Sequence, residues 1–220
     1  MKLTFKLVAV IFVTTLFLTS CKDDKRYIAK EEAINYKISD SVDPITEIKA
    51  FQAELNKEYK NAKTSPLTQA DRKNFKGLSF YPIDTVYRVT ARFEETPFEP
   101  SFRMKTTTDR APEYKRYGIA YFTLKGKEYQ LNVYQSQELK LKEEYVNYLF
   151  IPFLDETNGS ETYGGGRYID SNIPDATTMI IDFNKAYNPY CSYNKRYSCP
   201  IVPDENRLTV LIEAGVKKFH

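Results

Sequence analysis

Histidine is almost absent: the 220 residues contain one, His220, at the final position. Without an internal histidine there is no Ser-His-Asp triad, no Cys-His nucleophile, no HExxH zinc motif and no histidine-ligated haem. Three cysteines, one of them near the N-terminus, do not make the usual four-ligand zinc site. The sequence calls for no cofactor and no metal. Tryptophan is missing, and no glycine occurs before Gly77, whereas all eight lie from there onward. An excess of charge is missing too. Lys2 and Lys6 fall in an N-terminal leader, so the remaining 30 of the 32 basic residues balance the 29 acids. That excludes a nucleic-acid binder, which needs a net basic face to neutralise phosphates. What remains is ordinary globular material, 42% hydrophobic and long enough for one domain with an adequate core.

The longest apolar run, Leu7 to Leu18, spans 12 residues. It is too short for a bilayer core of about 30 Å and reads as the core of a signal peptide over residues 1–20. The leader ends Leu18-Thr19-Ser20-Cys21, which resembles the lipobox of bacterial lipoproteins. The resemblance implies lipidation of Cys21 and attachment to the membrane through several acyl chains. Lys22-Asp23-Asp24-Lys25, in a tether over residues 21–27, resembles the surface-export signal of Bacteroidetes lipoproteins. The expected location is therefore the cell envelope, on the outer membrane. With Cys21 taken by lipid, Cys191 and Cys199 remain as a pair in an oxidising space. Seven residues separate them, far from a CxxC redox spacing, and a structural disulfide is expected. So short a loop contributes about 2.5 kcal/mol by chain entropy.

Residues 28–76 read as a helical segment packed on a β-rich domain over 77–220. Asp43-Pro44 is an N-cap followed by proline at the first helical position. Ile45, Ile48, Leu55 and Tyr59 then recur at helical spacing, predicting a helix over about 44–60. A further helix is expected over 29–38, and a short one after Thr68. From residue 78 the period becomes two. Strands are predicted over Thr85–Glu94, Tyr117–Leu124, Glu128–Tyr134, Tyr148–Leu154, Arg167–Asp170, Met179–Asn184 and Leu208–Ala214. Lys125-Gly126-Lys127 reads as a tight hairpin. The fold class is mainly β, a single antiparallel sandwich or barrel-like domain of about eight strands preceded by N-terminal helices.

The chemistry left open is sparse. Tyr163-Gly164-Gly165-Gly166-Arg167 forms an anion nest with Arg167 as counter-charge, or simply permits positive φ at a bulge. Asp155, Glu156, Asn158 and Glu161 surround a hard cation or form a solvated turn. Tyr187, Tyr190, Tyr193 and Tyr197 crowd the cysteine loop, either to stack on a flat ligand or to pack the loop on the body. Carboxylate-only glycoside hydrolysis needs no histidine, but no spacing places two acids across a bond. The candidate ligand-binding set is Glu161, Tyr163, Arg167, Asp182, Asn184, Asn188 and Asn206. These lie at the ends of neighbouring segments and are expected to converge on one rim of the sheet.

The motifs ETYGGGRYID, IDFNKAYNPYC, the CP after Tyr197-Ser198, PDENRL and EAG occur in this order over residues 161–215. With FRMKTTTDRAPEYKRYG, FIPFLDET and the Phe75-Lys76-Gly77-Leu78 segment, they resemble the bacterial family known as domain of unknown function 1684. The resemblance covers roughly residues 65–219 and implies a secreted or lipid-anchored, mostly β protein, with no activity attached. The function expected is a binding or interaction module for a small polar ligand, a glycan or a partner protein. The alternative is a histidine-free, glycan-directed hydrolase using paired carboxylates.

Overall fold

The computed structural model describes residues 43–220. The leader, Cys21, the tether and the helix expected over 29–38 lie outside the described residues. Helix α1, Pro44–Lys60, starts where the cap predicts, with the Asp43 side chain accepting the Thr46 backbone N–H at 3.1 Å. Ile48, Leu55 and Tyr59 are buried, whereas Ile45 is exposed and Glu47 is buried in its place, paired with Lys185 at 3.3 Å. Helix α2, Gln69–Asn74, is capped by the Thr68 hydroxyl. Among the described residues no helix is long and apolar enough to cross a membrane.

Seven strands follow: β1 Arg88–Glu95, β2 Ser101–Arg103, β3 Glu113–Leu124, β4 Lys127–Ser136, β5 Tyr148–Phe153, β6 Arg167–Asn172 and β7 Thr178–Asp182. Their order is β6-β5-β4-β3-β1-β7, with β2 beside β3 and antiparallel pairing throughout. The expectation of a mainly β, antiparallel domain holds. In place of two stacked sheets, however, these strands form one curled sheet, a half-barrel. Its outer strands are drawn together where Tyr168 in β6 pairs with Tyr187, just beyond β7. The β3–β4 hairpin turns at Lys125 and Gly126, with φ of 49° and 78°, which is the two-residue geometry that suits strand twist.

The concave face carries Val89, Ala91, Phe93, Ala120, Phe122, Leu131, Val133, Leu149, Ile151 and Ile181. A second cluster packs Leu55 and Tyr59 of α1 with Tyr114, Tyr134, Phe150, Tyr168 and Tyr193. β5 therefore buries both faces, which is why its sequence runs apolar without alternation.

Residues 208–214 do not form the expected strand. Leu208, Ile212 and Ala214 do point inward, but the carbonyls of Ile212 and Ala214 are taken by the Arg167 guanidinium rather than by a neighbouring strand. The alternation there records burial along an extended segment, not a ladder. β2 carried no sequence signal because its three residues are all exposed.

Candidate functional site

The seven nominated residues do not form one site. Most are consumed in separate internal networks. Arg167, the first residue of β6, has no exposed side-chain surface. Its Nη2 donates to Asp155 Oδ2 and to the Ile212 carbonyl, each at 2.8 Å, and its Nη1 donates to the Ala214 carbonyl. Asp155 Oδ1 accepts the Thr157 N–H and hydroxyl at 2.9 and 2.6 Å and the Ile212 N–H at 3.2 Å. Both Nη atoms and the Asp155 carboxylate are engaged internally, and Arg167 Nε, which has no hydrogen bond, is itself buried, so Arg167 offers nothing to an outside anion. The glycine run supplies backbone freedom instead.

Nor do the residues of the turn gather around a cation. Asp155 is committed to Arg167. Asn158 accepts the Asp155 N–H at 2.7 Å and donates to Thr162 Oγ1 at 2.8 Å. Glu161 pairs with Lys217 at 2.9 Å, and this hydrogen bond holds its carboxyl below the usual range.

Asn206 repairs the sheet. β4 and β5 meet in register only at Tyr134 and Phe150, and beyond that pair the Asn206 amide fills the gap. Its Oδ1 accepts the Asn132 N–H at 2.9 Å, while its Nδ2 donates to the carbonyls of Asn132 and Pro152 at 2.9 and 2.7 Å. A side-chain amide thus replaces the ladder bonds of a neighbouring strand.

Asn184 ties the end of β7 to the turn before β1. It exchanges bonds with the Asp84 backbone, accepting its N–H at 3.1 Å and donating to its carbonyl at 2.9 Å. Asp182 Oδ1 accepts the Asn184 backbone N–H and side-chain amide at 3.0 and 2.9 Å. Asp182 Oδ2 is buried with no hydrogen bond, and the nearest cation, Arg88, is 3.7 Å away. Burial pushes the Asp182 carboxyl up, against the pull of Asn184. A folded-state pKa above the unfolded one means that its contribution is fully present below the unfolded value of about 3.9 and is lost as pH rises through the folded value. Asp182→Asn keeps an oxygen for Asn184 but carries no charge at any pH. The wild type's stability relative to Asp182→Asn is therefore expected to be greatest near pH 3.5 and to decline toward pH 7. Melting curves across this range check it; a difference that is constant or grows with pH contradicts it.

Asn188 donates to Tyr193 Oη at 3.2 Å and to the Lys217 carbonyl at 3.0 Å. It thereby meets the same C-terminal residue that Glu161 holds; apart from this shared partner, the described contacts join only Asp182 and Asn184 within the set. Tyr163 lies with its hydroxyl 4.0 Å from Cys191 Sγ. Asp182 and Asn184 sit at the end of β7, and Asn206 lies between β4 and β5.

The tyrosines pack the cysteine loop on the body. Tyr193 and Tyr190 meet the Tyr59 ring edge-on at 5.0 and 6.2 Å, and the Tyr190 hydroxyl donates to Glu58 of α1. Tyr148 and Tyr187 both donate to Asp170 Oδ1, at 2.7 and 2.5 Å. Burial pushes Tyr59, Tyr187 and Tyr190 above the ordinary phenol value, so their hydroxyls stay protonated, those of Tyr187 and Tyr190 as donors to Asp170 and Glu58.

Sequence reasoning missed a groove. Asn56, Lys57, Lys60 and Asn61, from the end of α1, face Phe75, Lys76 and Gly77 across a cavity of about 450 Å³. Asn56 Oδ1 accepts the Leu78 N–H at 2.7 Å, and Phe75 leans on Tyr59 with 6.3 Å between ring centroids. Among the described residues no carboxylate lines it, although Glu54, outside the lining, pairs with Lys57 at 3.2 Å. The only signal in the chain was the lysine pair at 57 and 60, which reads as an ordinary solvated helix end.

A family model described as "Protein of unknown function (DUF1684)" matches residues 73–217. No curated protein matches the chain. Among solved structures, the solution NMR structure of an uncharacterized protein from Haloarcula marismortui is 30% identical. The match covers 79% of this chain and 93% of that one, with a TM-score of 0.63.

Proposed function

The chain belongs to the DUF1684 family, and on that premise we propose that it is a lipid-anchored envelope protein whose groove between the end of α1 and residues 75–77 binds an acidic saccharide. The single observation that carries the reading is the lining of the groove. Lys60 and Lys76 supply two cations, Lys57 a third that is also paired with Glu54 at 3.2 Å, Asn56 and Asn61 two amides, and Phe75 an aromatic ring. Cations suit sugar carboxylates, amides suit hydroxyls, and a ring suits the apolar face of a pyranose. The anchor rests on the leader and Cys21, which would hold the groove near envelope glycans.

The hydrolase alternative has less support. Paired-acid catalysis needs two carboxyls about 5–9 Å apart across the bond to be cut. The groove has none, and Asp155, Asp170, Asp182 and Glu161 each face internal partners.

Calorimetric titration with oligogalacturonate and with a neutral maltooligosaccharide tests the proposal. The acidic oligomer is expected to bind more tightly and to weaken with added salt, since exposed charges are screened over about 8–10 Å. The triple variant Lys57→Gln, Lys60→Gln, Lys76→Gln should lose at least about tenfold in affinity, since each charged hydrogen bond contributes roughly 1.5–3 kcal/mol before screening. Equal binding of the two oligomers, or an unaffected triple variant, would overturn it.

A further inference from the structure

Two thiols lie at the base of the tyrosine-rich loop, and neither belongs to the groove. Cys191 and Cys199 are both free thiols. They are unequally accessible: Cys191 is half-buried, and Cys199 is 6% exposed. Cys199 Sγ accepts the Cys191 backbone N–H at 3.1 Å, so the two residues are in contact across the mouth of the loop.

That contact does not need a covalent bond to hold it. Cys199 is pinned by Thr107, whose N–H donates to the Cys199 carbonyl at 2.9 Å and whose Oγ1 accepts the Cys199 N–H at 3.2 Å. Ser198 is tied to Thr108 Oγ1 at 2.6 Å and to Thr106 Oγ1 at 3.0 Å. On the other side, the Tyr190 carbonyl accepts the N–H groups of Tyr193 and Asn194, each at 3.0 Å. These bonds hold the two cysteines in contact while both are thiols.

We propose that Cys191 and Cys199 form a thiol–disulfide exchange couple, with Cys191 the attacking thiol, Cys199 the resolving thiol, and a small disulfide of the glutathione type as oxidant. In the first step the Cys191 thiolate attacks one sulfur of the external disulfide. The external S–S bond breaks, one thiolate leaves and takes up a proton from water, and a mixed disulfide remains on Cys191. Cys199 then gives up its proton, attacks Cys191 Sγ and expels the second external thiol. The external disulfide gains two electrons and becomes two thiols, while the two cysteines lose two electrons and become a disulfide.

The surroundings suit this division of roles. Hydrogen bonding from the Cys199 thiol, assisted by Tyr163, brings Cys191 down to about 7 against the opposing effect of burial. The lowering favours the thiolate, the form that attacks, on the more accessible of the two sulfurs. Burial keeps the Tyr163 phenol near 12, so it remains a donor to that sulfur. Cys199 is pushed up, first by its bond to Cys191 and then by burial, which keeps it protonated until the mixed disulfide forms.

The test uses the full chain with Cys21→Ser, so that only two thiols are counted, reduced with dithiothreitol without denaturant. Reaction with Ellman's disulfide should release two equivalents of thionitrobenzoate and leave the protein unlabelled by mass spectrometry. Cys199→Ser should release one equivalent and keep the label, and Cys191→Ser should react at least tenfold more slowly. The wild-type result stands independently of how the variants fold. A wild type that keeps the label, equal rates for the two single variants, or a disulfide that yields to reductant only under denaturation would each overturn the proposal.

Discussion

Arg167→Ala is expected to destabilise the fold by about 3–5 kcal/mol, the usual consequence of removing one partner from a buried ion pair. Three losses act together. The Asp155 carboxylate is left charged and buried, and the carbonyls of Ile212 and Ala214 lose their donor. The Phe153 ring also loses the guanidinium that lies 5.2 Å from its centroid. Urea denaturation measures the change, and a loss below about 1 kcal/mol contradicts the structural role. The double variant Arg167→Met, Asp155→Asn should recover part of the loss, because no charge is then left unpaired and the Asn oxygen still accepts from Thr157 and Ile212.

Gly166→Ala is expected to cost about 2–5 kcal/mol. At φ of 87° an L side chain pays about 1–2 kcal/mol for the left-handed conformation alone. A Cβ there would also stand 2.6 Å from the Phe153 carbonyl and 2.7 Å from Val202 Cγ2. Crowding of this kind adds roughly 1–3 kcal/mol, because the carbonyl belongs to β5 and cannot move without its strand. Gly126→Ala is the matched control, with φ of 78° and nothing within 4 Å of the added carbon. Its cost should stop at the conformational part. Thermal melts of the two variants should therefore differ clearly, and equal shifts would show that close approach contributes nothing at Gly166.

These two residues also mark where sequence reading stops. Glycines followed by an arginine are compatible with an anion nest and with a buried bulge, and only the surroundings decide. Asp155 lies 12 residues earlier and Ile212 45 residues later, so no local pattern announces the pair. Local signals did better. α1 was legible because cap, proline and period agree, and the β3–β4 hairpin because alternation and the turn agree. The extended 208–214 segment shared the alternation of a strand without its partners, since alternation reports burial and not pairing. Asn206 reads as a rim residue because it stands at the end of a segment, just before the expected last strand, whereas here it stands in for a missing strand edge. The groove was illegible for a similar reason. Lys57, Lys60 and Lys76 meet only because α1 ends against Phe75 and Gly77.

The most direct test of the binding account is residue-level mapping by NMR during titration of the chain with oligogalacturonate. The account predicts amide shifts concentrated at residues 56–61 and 75–77, with the Asp155–Arg167 core undisturbed. Shifts centred on Glu161, Tyr163 and Asn188, or no shifts at saturating oligomer, would contradict it.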